Sequence, residues 1–492
     1  MAQDLEEQLR RFHKIDERLS SVWNKGIMAQ IYMLSETSQF GPWYRNCITV
    51  AGSQVEGGLY ARMFLHGKHI NEVDCMFSLG NIQDPTHQLQ PIQDAPGHFK
   101  IRFNGIRDCF HDGVRDKFVA QINSPARQER NRFLARSTVM NMTYDMFSST
   151  ETKTQANEFL ADLIFQPQEP CTSEVIFKRR GPSVLTKVTT RSAGHHLGEI
   201  QVDTVPCFKL SSWPDDFGSF EEFLNRKRKW PSNPEVVKSI QRKVHIVPKW
   251  SPKLKDETER DDCWRLSFSE AEVYLKSLFS AKEKRVYLLF KILFYAHLKK
   301  IKRNEKKMAS YFCKTTMLWM MEEEGAELCK KDVLEAIQML FGKFKQFLDN
   351  GFIPNFFCRS NNLIEGYPQD LITECSTMAG NISQRPLEYV PSNFNEVYDH
   401  LETIWKRLEE LEFENVMDTL SDYVQERRYL TGRTAVELFW HQMNPHICCH
   451  PLLRAIIRTW ARRRLFAVRK FFSRCVNCCS LFNKHGEYEN IE

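Results

Sequence analysis

No apolar run in this chain approaches the roughly 20 consecutive residues that a membrane-spanning helix needs. The opening residues, MAQDLEEQLRR, are charged and polar, unlike a secretory leader. No internal repeat is visible, which argues against a solenoid or propeller. The 15 cysteines are an odd number, mostly scattered singly in apolar contexts such as Cys47, Cys75, Cys207 and Cys313. Without a leader they read as free thiols in a reducing compartment, so the expected location is cytoplasmic. At 42% hydrophobic and 26% charged, the composition excludes global disorder. The net charge of +6 is small but unevenly distributed.

A length of 492 residues argues for two or three lobes. Leu5, Leu9, Phe12, Ile15 and Leu19 recur at helical spacing, so residues 1–45 are expected as helix. Residues 46–215 alternate strand and helix patterns, including a helix over Glu151–Gln166. From 216 to 365 nearly everything reads helical. The loop-rich residues 366–392 read as a linker, and 393–492 as a helical, basic extension capped at Ser392 or Asn393. The expectation is a mixed α/β lobe followed by a helical lobe, with a cleft between them.

Three stretches carry chemistry. NEVDCMF (Asn71–Phe77) reads as a strand with Glu72 and Asp74 on one face. Alternation normally puts such acids on the wet face of an edge strand; the alternative is a divalent-metal site, since carboxylate oxygens are the hard ligands magnesium prefers. CITVAGS (Cys47–Ser53) is an apolar strand ending in Gly52-Ser53, followed by Gly57 and Gly58. Glycine permits close backbone approach, and the Ser53 hydroxyl with nearby N–H groups suits a phosphate oxygen. In GEIQVDTVP, Asp203 interrupts an apolar strand as a third acid, or simply belongs to a polar face with Glu199 and Gln201. His195 and His196, in the turn before it, read as solvated turn residues rather than metal ligands.

Gly52-Ser53, Glu72-Val73-Asp74 and Asp203 together resemble the signature of nucleotidyltransferases. KRRGPSV (Lys178–Val184), SSWP (Ser211–Pro214), IVPKW (Ile246–Trp250), WRLSFSEAE (Trp264–Glu272), SYFCKT (Ser310–Thr315) and GFIPNFFCRSNNLI (Gly351–Ile364) resemble the cyclic GMP–AMP synthase and male-abnormal-21 family. The resemblance runs in order over about residues 50–365 and leaves the last hundred uncovered. It implies an α+β, bilobal nucleotidyltransferase fold: a mixed α/β catalytic lobe plus a helical lobe, with an extra helical C-terminal extension.

It also implies an activity: sensing an immune ligand, usually double-stranded nucleic acid, then joining two nucleoside triphosphates, ATP and GTP, into a cyclic dinucleotide. Glu72, Asp74 and Asp203 match the magnesium-binding acids, where manganese is a substitute, and Gly52 and Ser53 the loop at the donor triphosphate. Lys291 and Ser310 match phosphate contacts, Tyr311 a base-stacking tyrosine, and Arg265, Ser267, Ser269 and Glu272 residues that contact bases. Phosphoryl transfer is largely positioning plus charge neutralisation, which this set suits. The residues allow plainer roles too: Arg265 as a structural ion pair, Tyr311 as core.

There are two departures from the family pattern. Between Phe268 and Lys291, where the vertebrate enzyme carries a zinc-binding insertion, there is no cysteine or histidine. No zinc is expected in the helical lobe, and the expected activator shifts from double-stranded DNA toward double-stranded RNA. The hydroxyl residue two places after the third acid is Val205 here, with Thr204 adjacent, which leaves the product's bases open.

Basic residues cluster at Lys178, Arg179 and Arg180, at Arg226, Lys227, Arg228 and Lys229, and at Lys299, Lys300, Lys302 and Arg303. They read either as a patch that takes duplex RNA by shape and phosphate contact, or as solvated helix ends. In the segment 451–479, Pro451–Arg474 reads as a basic helix, followed at once by Cys475, Cys478 and Cys479. That pattern suits a packing helix, an anionic membrane surface with lipidation, or, together with the HICCH stretch (His446–His450), a zinc site. A ligand-induced dimer fits the family. The rival reading is a catalytically silent male-abnormal-21-like binding or scaffold protein; presence of all three acids and the Gly-Ser pair favours the enzyme.

Overall fold

The computed structural model describes residues 2–37, 47–52, 60–66, 71–103, 106–112, 114–116, 133–148, 171–192, 195–214 and 218–410, together with residues 55, 58 and 118. Ser53, the expected helix at 151–166, His446–His450 and the basic segment 451–479 lie outside the described residues.

The first element is α1 (Ala2–Thr37), a single helix. Its stripe Leu5, Leu9, Phe12, Ile15 and Leu19 is buried, so packing of the amphipathic face holds it in place. A nine-stranded mixed sheet follows. Its strands are β1 (Ile48–Ala51), β2 (Asn71–Ile82), β3 (Leu89–Pro91), β4 (His98–Ile101), β5 (Cys171–Arg180), β6 (Ser183–Ser192), β7 (His195–Leu210), β8 (His245–Val247) and β9 (Cys263–Ser267). They run in the order β1-β2-β7-β8-β9-β4-β3, with β6 also pairing β7 and β5 pairing β6. β1 is antiparallel to β2, and β2 is parallel to β7.

The two faces of β7 differ, as a period of two requires. Thr204, Pro206 and Phe208 point into the main core, where Phe208 meets Phe110 (5.0 Å between ring centroids) and Trp264 (5.9 Å) edge-on. The opposite face carries Asp203, Val205 and Cys207. There Ala51, Met76, Cys207 and Val247, with Val205 against them, form a small apolar floor separate from the main core. Thr204 therefore turns away from the acids, and Val205 shares their face.

The helices that frame the site and the core include α2 (Met63–His66), α3 (Arg136–Ser148), α4 (Ser219–Asn225), α5 (Ser269–Ser277), α6 (Ala281–Ala296), α7 (Tyr311–Glu324), α8 (Val333–Asp349), α9 (Gln369–Gln384) and α10 (Phe394–Glu410). α6 begins with a reciprocal capping box between Ser280 and Glu283, and α8 with one between Asp332 and Glu335. α6 is buried on nearly all sides and packs against α1, α7 and α8. Only Leu278, Phe279 and Ser280 separate α5 from α6.

Residues 366–392, expected as a linker, hold α9 and a short 3-10 turn, Pro386–Tyr389. Gly366 and Pro368 at one end and Pro386 and Pro391 at the other give the segment the composition of a loop. Between them, Leu371, Ile372, Cys375, Ala379 and Ile382 form a buried helical stripe, and α9 packs against α8. α10 lies on α1: the Phe394 ring sits 5.3 Å from Phe12 and 5.7 Å from Phe64, and Arg18 lies 3.6 Å from Glu409.

Candidate active site

Strand register brings the acids together. Asp74 on β2 is the direct partner of Asp203 on the parallel neighbour β7, and Glu72 pairs with Gln201 two positions earlier. Adjacent strands run about 4.8 Å apart, so residues 129 positions apart in the chain stand side by side. Ser183 Oγ lies 3.2 Å from Asp203 Oδ1, and Arg180 Nη1 lies 3.6 Å from Asp203 Oδ2. Both reach it because the β5–β6 hairpin turns at Gly181-Pro182 beside β7. The side chain of Glu72 lies outside the described residues, so two of the three expected acids are placed.

Gly52 closes the site from β1. The residue before it, Ala51, is the strand partner of Asp74. A Cβ on Gly52 would stand 2.2 Å from Asp74 Oδ2, and its φ is +76°. Both the close approach and the left-handed backbone require glycine. Gly52→Ala is therefore expected to displace the Asp74 carboxylate and cut nucleotide turnover by about 100-fold. Unchanged turnover would remove Gly52 from the site.

The residues expected at the bases come from β9, α5 and α7. Glu272 is only 4% exposed. Its Oε1 accepts from the Tyr311 hydroxyl (2.8 Å) and its Oε2 from Lys314 Nζ (2.7 Å). Asn355 Nδ2 donates to Tyr311 Oη at 3.4 Å. Both carboxylate oxygens are thus engaged within the protein, and Glu272 supports Tyr311 from behind. Burial, reinforced by Glu272, pushes the Tyr311 phenol far above its ordinary range. Arg265 on β9 shares the face of Val247, its strand partner. Burial pulls its guanidinium below the usual value, opposed by Tyr311 and Glu272. Ser267 and Ser269 face each other at 3.1 Å between hydroxyl oxygens. Ser310 directly precedes α7 and makes no side-chain cap to it.

Lys291 is buried in α6 at 2% exposure. The Gly58 backbone passes over it: a Cβ there would stand 3.2 Å from Lys291 Nζ. Its ammonium lies 5.5 Å from the Tyr287 ring centroid.

The basic clusters do not form one exposed set. Arg226 and Arg228 have side chains only 7% exposed. Arg226 pairs with Glu322 (3.3 Å) and Glu222 (3.1 Å) and stacks on Phe223 and Trp319; Arg228 stacks on Phe223 at 4.5 Å. This corrects their reading as ligand-facing cations: the buried carboxylate of Glu322 holds them inside, as an ion pair in an aromatic setting. Lys227 and Lys229 stay exposed, with Lys229 3.6 Å from Glu324. Lys299 donates to the Met308 carbonyl, Lys302 pairs with Glu305, and Arg303 pairs with Glu374 and Asp370; Lys300 is exposed. Lys178, Arg179 and Arg180 are exposed at the β5–β6 turn, with Arg179 4.9 Å over the Tyr144 ring.

Two buried histidines flank the same sheet face. His98, the strand partner of Arg265, is pushed down to about 4, first by burial and then by Arg265. Burial likewise brings His245 to about 4, against the pull of Glu270. A histidine with a lowered folded-state pKa contributes stability that is complete above its ordinary value of about 6.5 and lost as pH falls through the folded value. The thermal midpoint is expected to fall between about pH 6.5 and pH 4, and less steeply in His98→Gln. An identical fall in that variant would count against His98.

The sequence pattern marks Gly58 only as a loop glycine and does not single out Asp16, Ser183, Lys314 or Asn355. Asp16 leaves a signal: it continues the apolar stripe Leu5, Leu9, Phe12 at helical spacing, ahead of Leu19.

The Mab-21 protein nucleotidyltransferase domain matches residues 71–275, and the Mab-21 protein HhH/H2TH-like domain matches residues 282–381. A cyclic GMP-AMP synthase-like receptor of Aethina tumida is 26% identical over 332 residues, 66% of this chain and 72% of that protein. One from Tribolium castaneum is 26% identical over 240 residues, covering 48% of this chain and 53% of that protein, about half its length. The first domain match holds the paired acids on β2 and β7 and ends in α5; the second runs from α6 into α9. The two lobes thus match, in order, the two domains of one family, and the chain belongs to the Mab-21 family of nucleotidyltransferases.

Proposed function

We propose that this chain is a ligand-activated nucleotidyltransferase that joins two nucleoside triphosphates, ATP and GTP, into a cyclic dinucleotide of the cyclic GMP-AMP type. In this reading it is a cytoplasmic innate immune receptor whose activator is double-stranded RNA. One observation carries the chemistry: Asp74 and Asp203 stand in register on adjacent parallel strands, with the Gly52 backbone against Asp74. Carboxylates crowded on one face repel each other, an arrangement that divalent cations relieve. Asp74, Asp203 and Glu72 would hold magnesium, which would supply charge neutralisation at the attacking hydroxyl and at the pyrophosphate that leaves as the new phosphodiester forms. Asp203 accepts the proton of that sugar hydroxyl, with Ser183 and Arg180 fixing its orientation. Lys291 offers a point charge to phosphate, and Arg265 a planar fork to a base edge. The names of the two similar receptors support the product class. The three-residue link between α5 and α6 supports RNA over DNA, since it leaves no insertion of the zinc-binding kind.

The test is incubation of the full chain with labelled ribonucleoside triphosphates and magnesium, with double-stranded RNA, double-stranded DNA or neither. Phosphatase-resistant cyclic product that requires RNA, and is lost in the double variant Asp74→Asn, Asp203→Asn, is the expected result. No product under any ligand, even with manganese, together with no triphosphate binding, would point to the silent scaffold instead.

A further inference from the structure

The least expected charged group in the molecule is Asp16. It lies on the apolar stripe of α1 and is 1% exposed. A buried carboxylate is expensive unless its oxygens are hydrogen-bonded. Those of Asp16 are: Oδ2 accepts from the Gly58 N–H at 2.7 Å and Oδ1 from the Tyr60 N–H at 3.1 Å. An apolar residue would fill the stripe as well, so packing alone does not account for an acid here. Two buried backbone donors without an acceptor do, because such donors must be satisfied.

The tethered segment is the far end of the stretch that leaves β1 at Gly52. One end is fixed where Gly52 abuts Asp74; the other is fixed at Gly58 and Tyr60 by Asp16. Gly58 has a φ of +72° and passes within van der Waals reach of the Lys291 side chain. The charge of Lys291 in turn favours the ionised form of Asp16, opposing the burial that raises it. One carboxylate of α1 therefore holds the Gly58 and Tyr60 backbone, and Gly58 in turn lies against the lysine of α6.

We infer that Asp16 is a positioning residue: it holds the Gly58 and Tyr60 backbone, and with it Gly58 against Lys291, in the arrangement that takes a nucleoside triphosphate. This rests on the nucleotidyltransferase reading above.

The test uses the full chain and two measurements on Asp16→Ala, Asp16→Asn and Gly58→Ala. The first is hydrogen exchange of the peptide covering Gly58 and Tyr60, with α7 as the internal reference. The second is equilibrium binding of a non-hydrolysable nucleoside triphosphate with manganese. Asp16→Ala is expected to speed exchange at that peptide by at least about 10-fold, with α7 unchanged, and to weaken triphosphate binding by about 10-fold, the scale of one charge-assisted hydrogen bond. Asp16→Asn keeps one acceptor oxygen and is expected to fall between. Gly58→Ala, which crowds Lys291 without touching the carboxylate, is expected to weaken binding while Asp16 is intact. Should Asp16→Ala fail to fold, Asp16→Asn and Gly58→Ala carry the test. Wild-type binding affinity in folded Asp16→Asn and Gly58→Ala, or unaltered exchange in a folded Asp16→Ala, would overturn the inference. A wild type that binds no triphosphate would sink the nucleotidyltransferase reading, and exchange alone would then decide whether Asp16 holds the segment.

Discussion

Asp74→Asn and Asp203→Asn are each expected to lower product formation by about 1,000-fold or more, while the thermal midpoint stays within a few degrees of the parent. Removing one preorganised charge from a phosphoryl-transfer site costs on this scale, because positioning and charge neutralisation make up nearly all of the catalysis. The fold should tolerate both changes. Asparagine has the same shape, and both acids lie half-buried on the sheet face that carries the apolar floor of Ala51, Met76, Cys207 and Val247. Asp203→Asn also weakens the contacts from Arg180 and Ser183, so its loss should be at least as large as that of Asp74→Asn. The rates would be compared at saturating triphosphate and activator. A variant retaining a tenth of the parent rate would exclude that acid from the reacting centre.

Glu272→Ala is expected to cost about 3–5 kcal/mol of folding stability, the range for breaking a buried ion pair from one side. Lys314 would be left buried with this carboxylate gone, and the Tyr311 hydroxyl would lose its acceptor. Replacing Lys314 by Met in the same chain should recover much of that loss, because the buried charge disappears with it. Urea unfolding of the parent, both single variants and the double variant measures the coupling. A loss below about 1 kcal/mol in Glu272→Ala would mean that Glu272 faces the cleft rather than supporting Tyr311.

Part of this arrangement is legible in the amino-acid pattern. Glu72 and Asp74 interrupt an apolar strand at alternate positions, and Asp203 interrupts another; alternation assigns each to a face, and only pairing can bring the faces together. The parallel register of β2 and β7 supplies that pairing. Alternation likewise resolves Thr204, whose neighbourhood to Asp203 in sequence means opposition across the sheet.

Charge patterns mislead where partners are distant in the chain. Arg226 and Arg228 sit in a basic run, and their carboxylate, Glu322, lies 96 and 94 positions later on α7. Nothing local to the run announces it. Asp16 is the converse case: an acid among helical charges is ordinary by composition, although its place on the buried stripe sets it apart. In α9, flanking prolines outweigh a short stripe of apolar residues that only α8 makes sense of.

The most direct test of the paired-acid centre is the stoichiometry of manganese bound with a non-hydrolysable nucleoside triphosphate. Two ions per chain in the parent and fewer in Asp203→Asn is the predicted result. Equal binding in both, or none in the parent, would contradict it.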